Sequence, residues 1–415
     1  MKKLLIVVGA GASLDFGFPS VDKVDKLFMD WAKEVAPLPS SSGDSLYSFV
    51  KDLILNYARN NPKNRINSIV NFESLLYIIQ NLFEIIRDKS PDYHSNGLSP
   101  FISVNDLPQI VDRFKHVTRD IEAYDFHFLQ SHLVDKLLDY FREICKTLPN
   151  DKRVELDLFK SFLDRLKDEF YLGFVTLNYD NVILNAMPGL KTGFDDKGKF
   201  DRDILYNGEW NFCYHLHGSV HFDMNGSGPT DMHRIYWNND IISNFHSNSS
   251  GRSSHTTKEG LSHLTTNIIA GLDKSNQILR DPFRAYLMQL DKVIYESDAI
   301  LFMGYGFSDL HLNQCFSFIR DDDKKRKVVV IDWASKKEDG LRWRHDDWSY
   351  GLFTTIPFEG IDMGAGRPKE PRPVDYYKRR NELEKSLNIN YPLAVWYNGM
   401  LEACKYPDKI LSELL

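Results

Sequence analysis

The chain has 415 residues, 42% hydrophobic and 26% charged, a globular composition long enough for one large domain with insertions or for two domains. Fifty-eight acidic residues against 51 basic ones give a net charge of −7, which argues against a polyanion binder that uses its whole surface. Cys145, Cys213, Cys315 and Cys404 stand far apart with no Cys-x-x-Cys pair, and no apolar run nears the roughly 20 residues of a membrane span. A zinc knuckle, a disulfide framework and a membrane anchor are therefore not expected, and a reducing, cytoplasmic setting fits.

Lys2-Lys3 before Leu4–Val8 imitates a secretory signal, but glycine ends the apolar run after five residues. A buried parallel strand suits it better. Gly9-Ala10-Gly11-Ala12-Ser13 follows, then Asp15, Gly17 and Pro19. Small residues there let backbone approach a pyrophosphate at a helix start. The third glycine of the dinucleotide fingerprint is absent, so a tight strand–helix turn without a ligand also explains the loop.

From about 45 to 168 the pattern is helical. Ile69, Phe72, Leu75, Leu76, Ile79, Leu82, Phe83 and Ile86 form one apolar stripe, and Leu133, Leu137, Leu138, Phe141 and Cys145 a second. Phe159, Phe162, Leu163, Leu166 and Phe170 form a third. Leu38–Ser45 and Lys89–Asp106 read as irregular connections. A helical subdomain inserted over 37–168 is the economical reading.

The strand Tyr171–Thr176 ends in Thr176-Leu177-Asn178-Tyr179-Asp180, polar groups where open α/β sheets bind ligands. Helix capping by Asp180 or Asn181 accounts for one of them. Phe212–Leu216 runs into His215-Leu216-His217-Gly218-Ser219, and on a strand His215 and His217 share one face. With His221 they read as metal ligands, as a general base beside a packed histidine, or as satisfied histidines at a turn.

Asn244–His263 reads as a flap over Ser, His, Asn and Gly. Asp281-Pro282 opens a helix, with Pro282 at its first position and Phe283, Leu287, Leu290 and Ile294 on one face. The strand Ala299–Met303 leads into Gly304-Tyr305-Gly306-Phe307-Ser308-Asp309, with Ser308 or Asp309 as the cap of the next helix. Asp321–Lys327 is a solvated charged turn before Val328–Ile331, and Asp332 then stands where an acid pairs with ribose hydroxyls. Residues 365–380 carry six basic and two acidic residues, as a Pro-rich linker or a partner or nucleic-acid contact.

The expected fold is α/β, a Rossmann-like parallel sheet with crossover helices and a large helical insertion. Residues 1–36 and 169–335 form the sheet domain, and 336–415 a mostly helical C-terminal extension.

Taken together, Gly9-Ala10-Gly11-Ala12-Ser13 with Gly17 and Pro19, Thr176-x-Asn178-x-Asp180, His217-Gly218 and Gly304-x-Gly306-x-Ser308 resemble the sirtuin NAD-binding domain. The resemblance covers roughly 3–22 and 170–335. It is nearest to the bacterial sirtuin-like proteins of antiphage defence, which hydrolyse NAD. The sirtuin deacylases place Pro-Asp-Phe-Arg after the first loop, Gln between the Thr and Asn, and four zinc cysteines. Here Pro19 precedes Ser20-Val21-Asp22, Leu177 stands between Thr176 and Asn178, and no such cysteine set exists. That combination implies an NAD glycohydrolase without zinc.

By the same resemblance Asn178 orders the ribose and the attacking water, and His217 is the general base. Asp180 orients the nicotinamide carboxamide. Gly9, Ala10, Gly11 and Ser13 cradle the pyrophosphate, Gly304 and Ser308 contact phosphate or ribose, and Asp332 the adenosine ribose. Asp15 and Thr176 complete the cofactor-binding set. The family further implies a homo-oligomer and a separately encoded partner such as a HerA-type ATPase. A regulatory subunit that only binds NAD or ADP-ribose, a protein deacylase, and a metal-dependent hydrolase on His215, His217 and His221 are the alternatives.

Overall fold

The computed structural model describes residues 1–39, 44–61, 70–87, 107–112, 114–224, 234–241, 254–256, 262–264, 266–271, 274–320, 322–337, 340–341, 347–358 and 372–415. The connection expected over 89–106, most of the flap at 244–263, and residues 365–371 of the basic segment lie outside the described residues. Two compact units divide the chain: Met1–Phe18 with Ile144–Ser219 and Asp281–Leu415, and Pro19–Glu143 with Val220–Arg280.

The first unit is built on a seven-stranded sheet. Its strands are β1 (Lys2–Val8), β2 (Phe170–Thr176), β3 (Phe212–His215), β4 (Ala299–Met303), β5 (Lys327–Ile331), β6 (Glu384–Lys385) and β7 (Leu393–Trp396). They lie in the order β6-β7-β5-β4-β1-β2-β3. All neighbours are parallel except β6 with β7. A mixed α/β fold with a mostly parallel sheet is the result. Without the short edge strand β6, the order is that of the doubly wound nucleotide folds, which puts the topological switch between β1 and β4.

The sequence explains the centre of the sheet. Leu4, Leu5, Ile6 and Val7 of β1 have no exposed surface, as expected of a strand with both faces covered. Each fully buried side chain of this size contributes about 1.5–3 kcal/mol. The register sets Val8 beside Thr176 and Met303, Thr176 beside His215, and Met303 beside Ile331. These strands therefore end level, and the residues after them share one edge.

Helices pack against this sheet by their apolar stripes. Arg153–Lys167 buries Leu156, Phe159, Phe162, Leu163 and Leu166 and packs on β2. Phe170, expected on that helix, instead opens β2. Phe283–Glu296 packs on β1 and β3, burying Phe283, Tyr286, Leu290 and Ile294 while Leu287 is only half-buried. Pro282 is its cap and not its first residue.

The second unit is mainly helical. Val21–Val35, Leu46–Asn60 and Phe72–Arg87 meet around Phe28, whose ring lies 6.0 Å from Tyr47 and 5.3 Å from Phe72. Ser20 caps the first helix at Lys23 N, and Ser45 with Ser48 closes a reciprocal capping pair on the second. Buried Asp25 takes a 2.7 Å hydrogen bond from Tyr47 and pairs with Lys51, so its charge is compensated. Among the described residues no helix is long and apolar enough to cross a membrane.

Candidate active site

The loops after β1 and β4 interlock at the switch point. Gly9 N donates to Met303 O at 3.0 Å and Gly11 N to Gly304 O at 2.9 Å. A Cβ on Gly9 would lie 2.6 Å from Gly304 O, and one on Gly304, at φ 59, would lie 2.0 Å from Ala12 N. The close approach that requires these glycines is thus of one loop to the other. Ala10–Phe16 forms a short 3₁₀ helix, with Ala10 and Gly11 exposed and Ser13 buried.

Ser13 joins β1 to the end of β2. Asn178 Nδ2 donates to Gly9 O at 2.9 Å and to Ser13 Oγ at 2.7 Å, which uses both amide hydrogens. Ser13 Oγ in turn donates to Asp180 Oδ2 at 2.6 Å, and Asp180 Oδ1 accepts from Val182 N at 3.0 Å. Thr176 Oγ1 accepts from Asn178 N at 3.0 Å, so Thr176 holds the turn. The set fixes the Asn178 carboxamide plane. Burial pushes the Asp180 carboxyl above the ordinary carboxylate range, and the Ser13 hydroxyl and Val182 amide partly oppose the shift.

The histidines separate. β3 stops at His215, so the alternation that would place His217 on the same face does not extend to it. His215 is 1% exposed, with its Nε2 3.7 Å from Cys213 Sγ. His217 Nε2 instead lies 3.1 Å from Asp309 Oδ2, the side chains 11% and 5% exposed. Because β1 and β2 stand between β4 and β3, this contact spans the two intervening strand ends. His221 belongs to the second unit, where its Nδ1 is 2.8 Å from Asn238 O and its ring stacks on Trp237 at 4.5 Å. Among the described residues no three His, Cys, Asp or Glu side chains gather as a metal site.

Asp309 is held by a tightly bonded loop. It caps Leu310–Cys315 through Leu312 N. Tyr305 Oη donates to Asn313 Oδ1 at 2.7 Å, and Asn313 Nδ2 donates to Phe307 O at 2.8 Å. Phe307 has φ 53, a left-handed conformation that costs a bulky residue about 1–3 kcal/mol. Its buried ring, 5.1 Å from Phe302 and 5.9 Å from Trp348, offsets that cost. Sequence reasoning identified Asp309 only as a helix cap, and nothing in its spacing pointed to His217.

The remaining expected site residues are dispersed along the same edge. Asp15 is exposed, and its Oδ2 accepts from Leu401 N at 3.4 Å at the start of the helix Met400–Cys404, a cap-like use. Ser308 is exposed on the loop after β4, and Gly304 half-buried. Asp332 follows β5, half-buried, with its backbone bonded to Trp396 O and Gly399 N.

Polar side chains thus gather at the carboxyl edge of an open parallel sheet, with Ser13, Asn178 and Asp180 buried. Residues 173–349 match a SIR2-like domain. That SIR2-like segment begins inside β2 and includes Asn178, Asp180, His217, Gly304 and Asp309. Solved structures similar to the chain include a Sir2 homologue mutant bound to 2′-O-acetyl ADP ribose (10% identity, TM-score 0.33, 80% of this chain and 81% of that one). Another is a Sir2 homologue–NAD complex (11% identity, TM-score 0.32, 82% and 80%). No curated protein matches the chain.

Proposed function

We propose that the chain is an NAD glycohydrolase that cleaves NAD to ADP-ribose and nicotinamide. The observation that carries this reading is the Ser13–Asn178–Asp180 network, which orients the Asn178 carboxamide at a strand end of the SIR2-like segment.

In the proposed reaction the bond between ribose C1′ and the nicotinamide nitrogen breaks, and its electron pair neutralises the pyridinium ring. An oxocarbenium-like ribose forms and a water oxygen bonds to C1′. The Asn178 side-chain carbonyl orders the ribose hydroxyl and that water, His217 takes the proton, and Asp180 receives the carboxamide of the leaving group. Gly9, Ala10, Gly11 and Ser13 are the proposed pyrophosphate cradle, Gly304 and Ser308 the phosphate or ribose contacts, and Asp332 the contact to the adenosine ribose; Ala10, Gly11 and Ser308 are exposed.

Hydrolysis is favoured over deacylation because the deacylase segment after the first loop and the zinc cysteines are replaced in this sequence. An enzyme that emptied the NAD pool continuously would poison its cell. We therefore assign it the role of a defence effector activated by assembly, and a HerA-type ATPase is the partner that the family resemblance implies. Nicotinamide release from NAD, followed by chromatography, tests the chemistry. His217→Ala and Asn178→Ala are each expected to lower it about 10²–10⁴-fold, and full activity in both would remove the site assignment.

A further inference from the structure

We propose that Asp309 is a positioning residue that fixes the tautomer of His217, leaving Nδ1 as the atom that takes the proton; the catalytic half of this rests on the hydrolase reading above. A neutral imidazole carries one N–H and one lone pair, and a carboxylate offers only acceptors. With Asp309 Oδ2 3.1 Å from His217 Nε2, the proton belongs on Nε2 and the lone pair on Nδ1. A carboxylate in this place also stabilises the imidazolium formed once the proton has been taken, the orienting role of the third member of a catalytic triad.

The surroundings give Asp309 little freedom. One oxygen is engaged at the helix start by Leu312 N at 3.4 Å while the other faces the imidazole. Its backbone carbonyl lies 3.2 Å from Tyr305 Oη, whose proton goes to Asn313, and the Asn313 bond to Phe307 O pins the preceding turn. On the far side Gly351 packs so closely that an added Cβ would stand 2.3 Å from Phe307 O. A strained backbone conformation retained by this many contacts is an arrangement found at functional sites.

The test uses the full chain labelled with ¹⁵N-histidine, first without NAD. Nitrogen shifts at neutral pH are expected to report His217 protonated at Nε2 in the wild type. In Asp309→Asn the side-chain amide can donate to Nε2 and move the proton to Nδ1, while Asn preserves the helix cap. If that variant does not fold, Asp309→Ser keeps a capping oxygen and removes the carboxylate. In the kinetic arm Asp309→Asn should lower kcat about 10²-fold with KM for NAD within about twofold, and Asp309→Glu should recover part of the rate. A purely structural role would move KM and stability instead. An unchanged His217 tautomer in the variants, or Nδ1 protonation in the wild type, would overturn the proposal. A wild type that released no nicotinamide either alone or with its proposed partner would refute the hydrolase reading and leave the tautomer measurement to decide this one.

Discussion

Ser13 accepts a hydrogen bond from Asn178 and donates one to Asp180, so its hydroxyl sets the orientation of both groups. Ser13→Ala should cost about 1–3 kcal/mol, because a buried carboxyl oxygen loses its donor, and should lower activity beyond the loss of stability. A urea titration read beside the nicotinamide assay checks both. At the same scale, burial first, and then the positive charge of Arg142, hold His221 down at about 4, against the opposing pull of Asn238 O. The unfolded chain therefore binds the proton first as pH falls. His221 contributes no penalty above about pH 7 and up to about 3 kcal/mol of lost stability between about pH 6.5 and 4. His221→Phe, which can still stack on Trp237, should flatten that slope between pH 7 and 5. Equal slopes in urea would contradict the assignment. Asn178, Asp180 and His217 were legible in the sequence because polar side chains at the ends of apolar runs are conspicuous. Asp309 was not, because a helix cap and a histidine partner share the same sequence signal, and only the fold sets β3 and β4 at the distance that joins them.

The loop elements at the switch point show a second limit of sequence reading. Gly9 and Gly11 read as part of a pyrophosphate cradle and Gly304 as a phosphate or ribose contact; that they also let two loops touch was not legible. Gly304→Ala should destabilise by on the order of 3 kcal/mol, since it adds both a clash and a left-handed strain. Gly306→Ala is the control, because its Cβ would meet only Ser308 Oγ at 4.0 Å, and it should melt within a few degrees of the wild type. A Gly304→Ala protein as stable as that control would refute the interlock. β1 to β5 were legible from their β-branched runs and flanking glycine or polar residues. β7, Leu393–Trp396, was not, because it is short, and its parallel pairing to β5 is a long-range choice that the local sequence does not announce. It adds a strand to the sheet within the C-terminal segment that reads as mostly helical.

For the whole molecule, the doubly wound strand order places the ends of β1, β2, β3, β4 and β5 at one edge, and the candidate chemistry follows from that placement. If NAD depletion is the output, expression of the wild type with its activating partner should lower cellular NAD, and the His217→Ala protein should leave it intact. The most direct measurement is release of nicotinamide from NAD by the purified chain, assayed alone and with a co-expressed HerA-type ATPase as its proposed partner, beside His217→Ala. Release by the wild type and at least about 10²-fold less by the variant are expected. Equal release by the two proteins, or none by the wild type in either setting, would contradict the proposed mechanism.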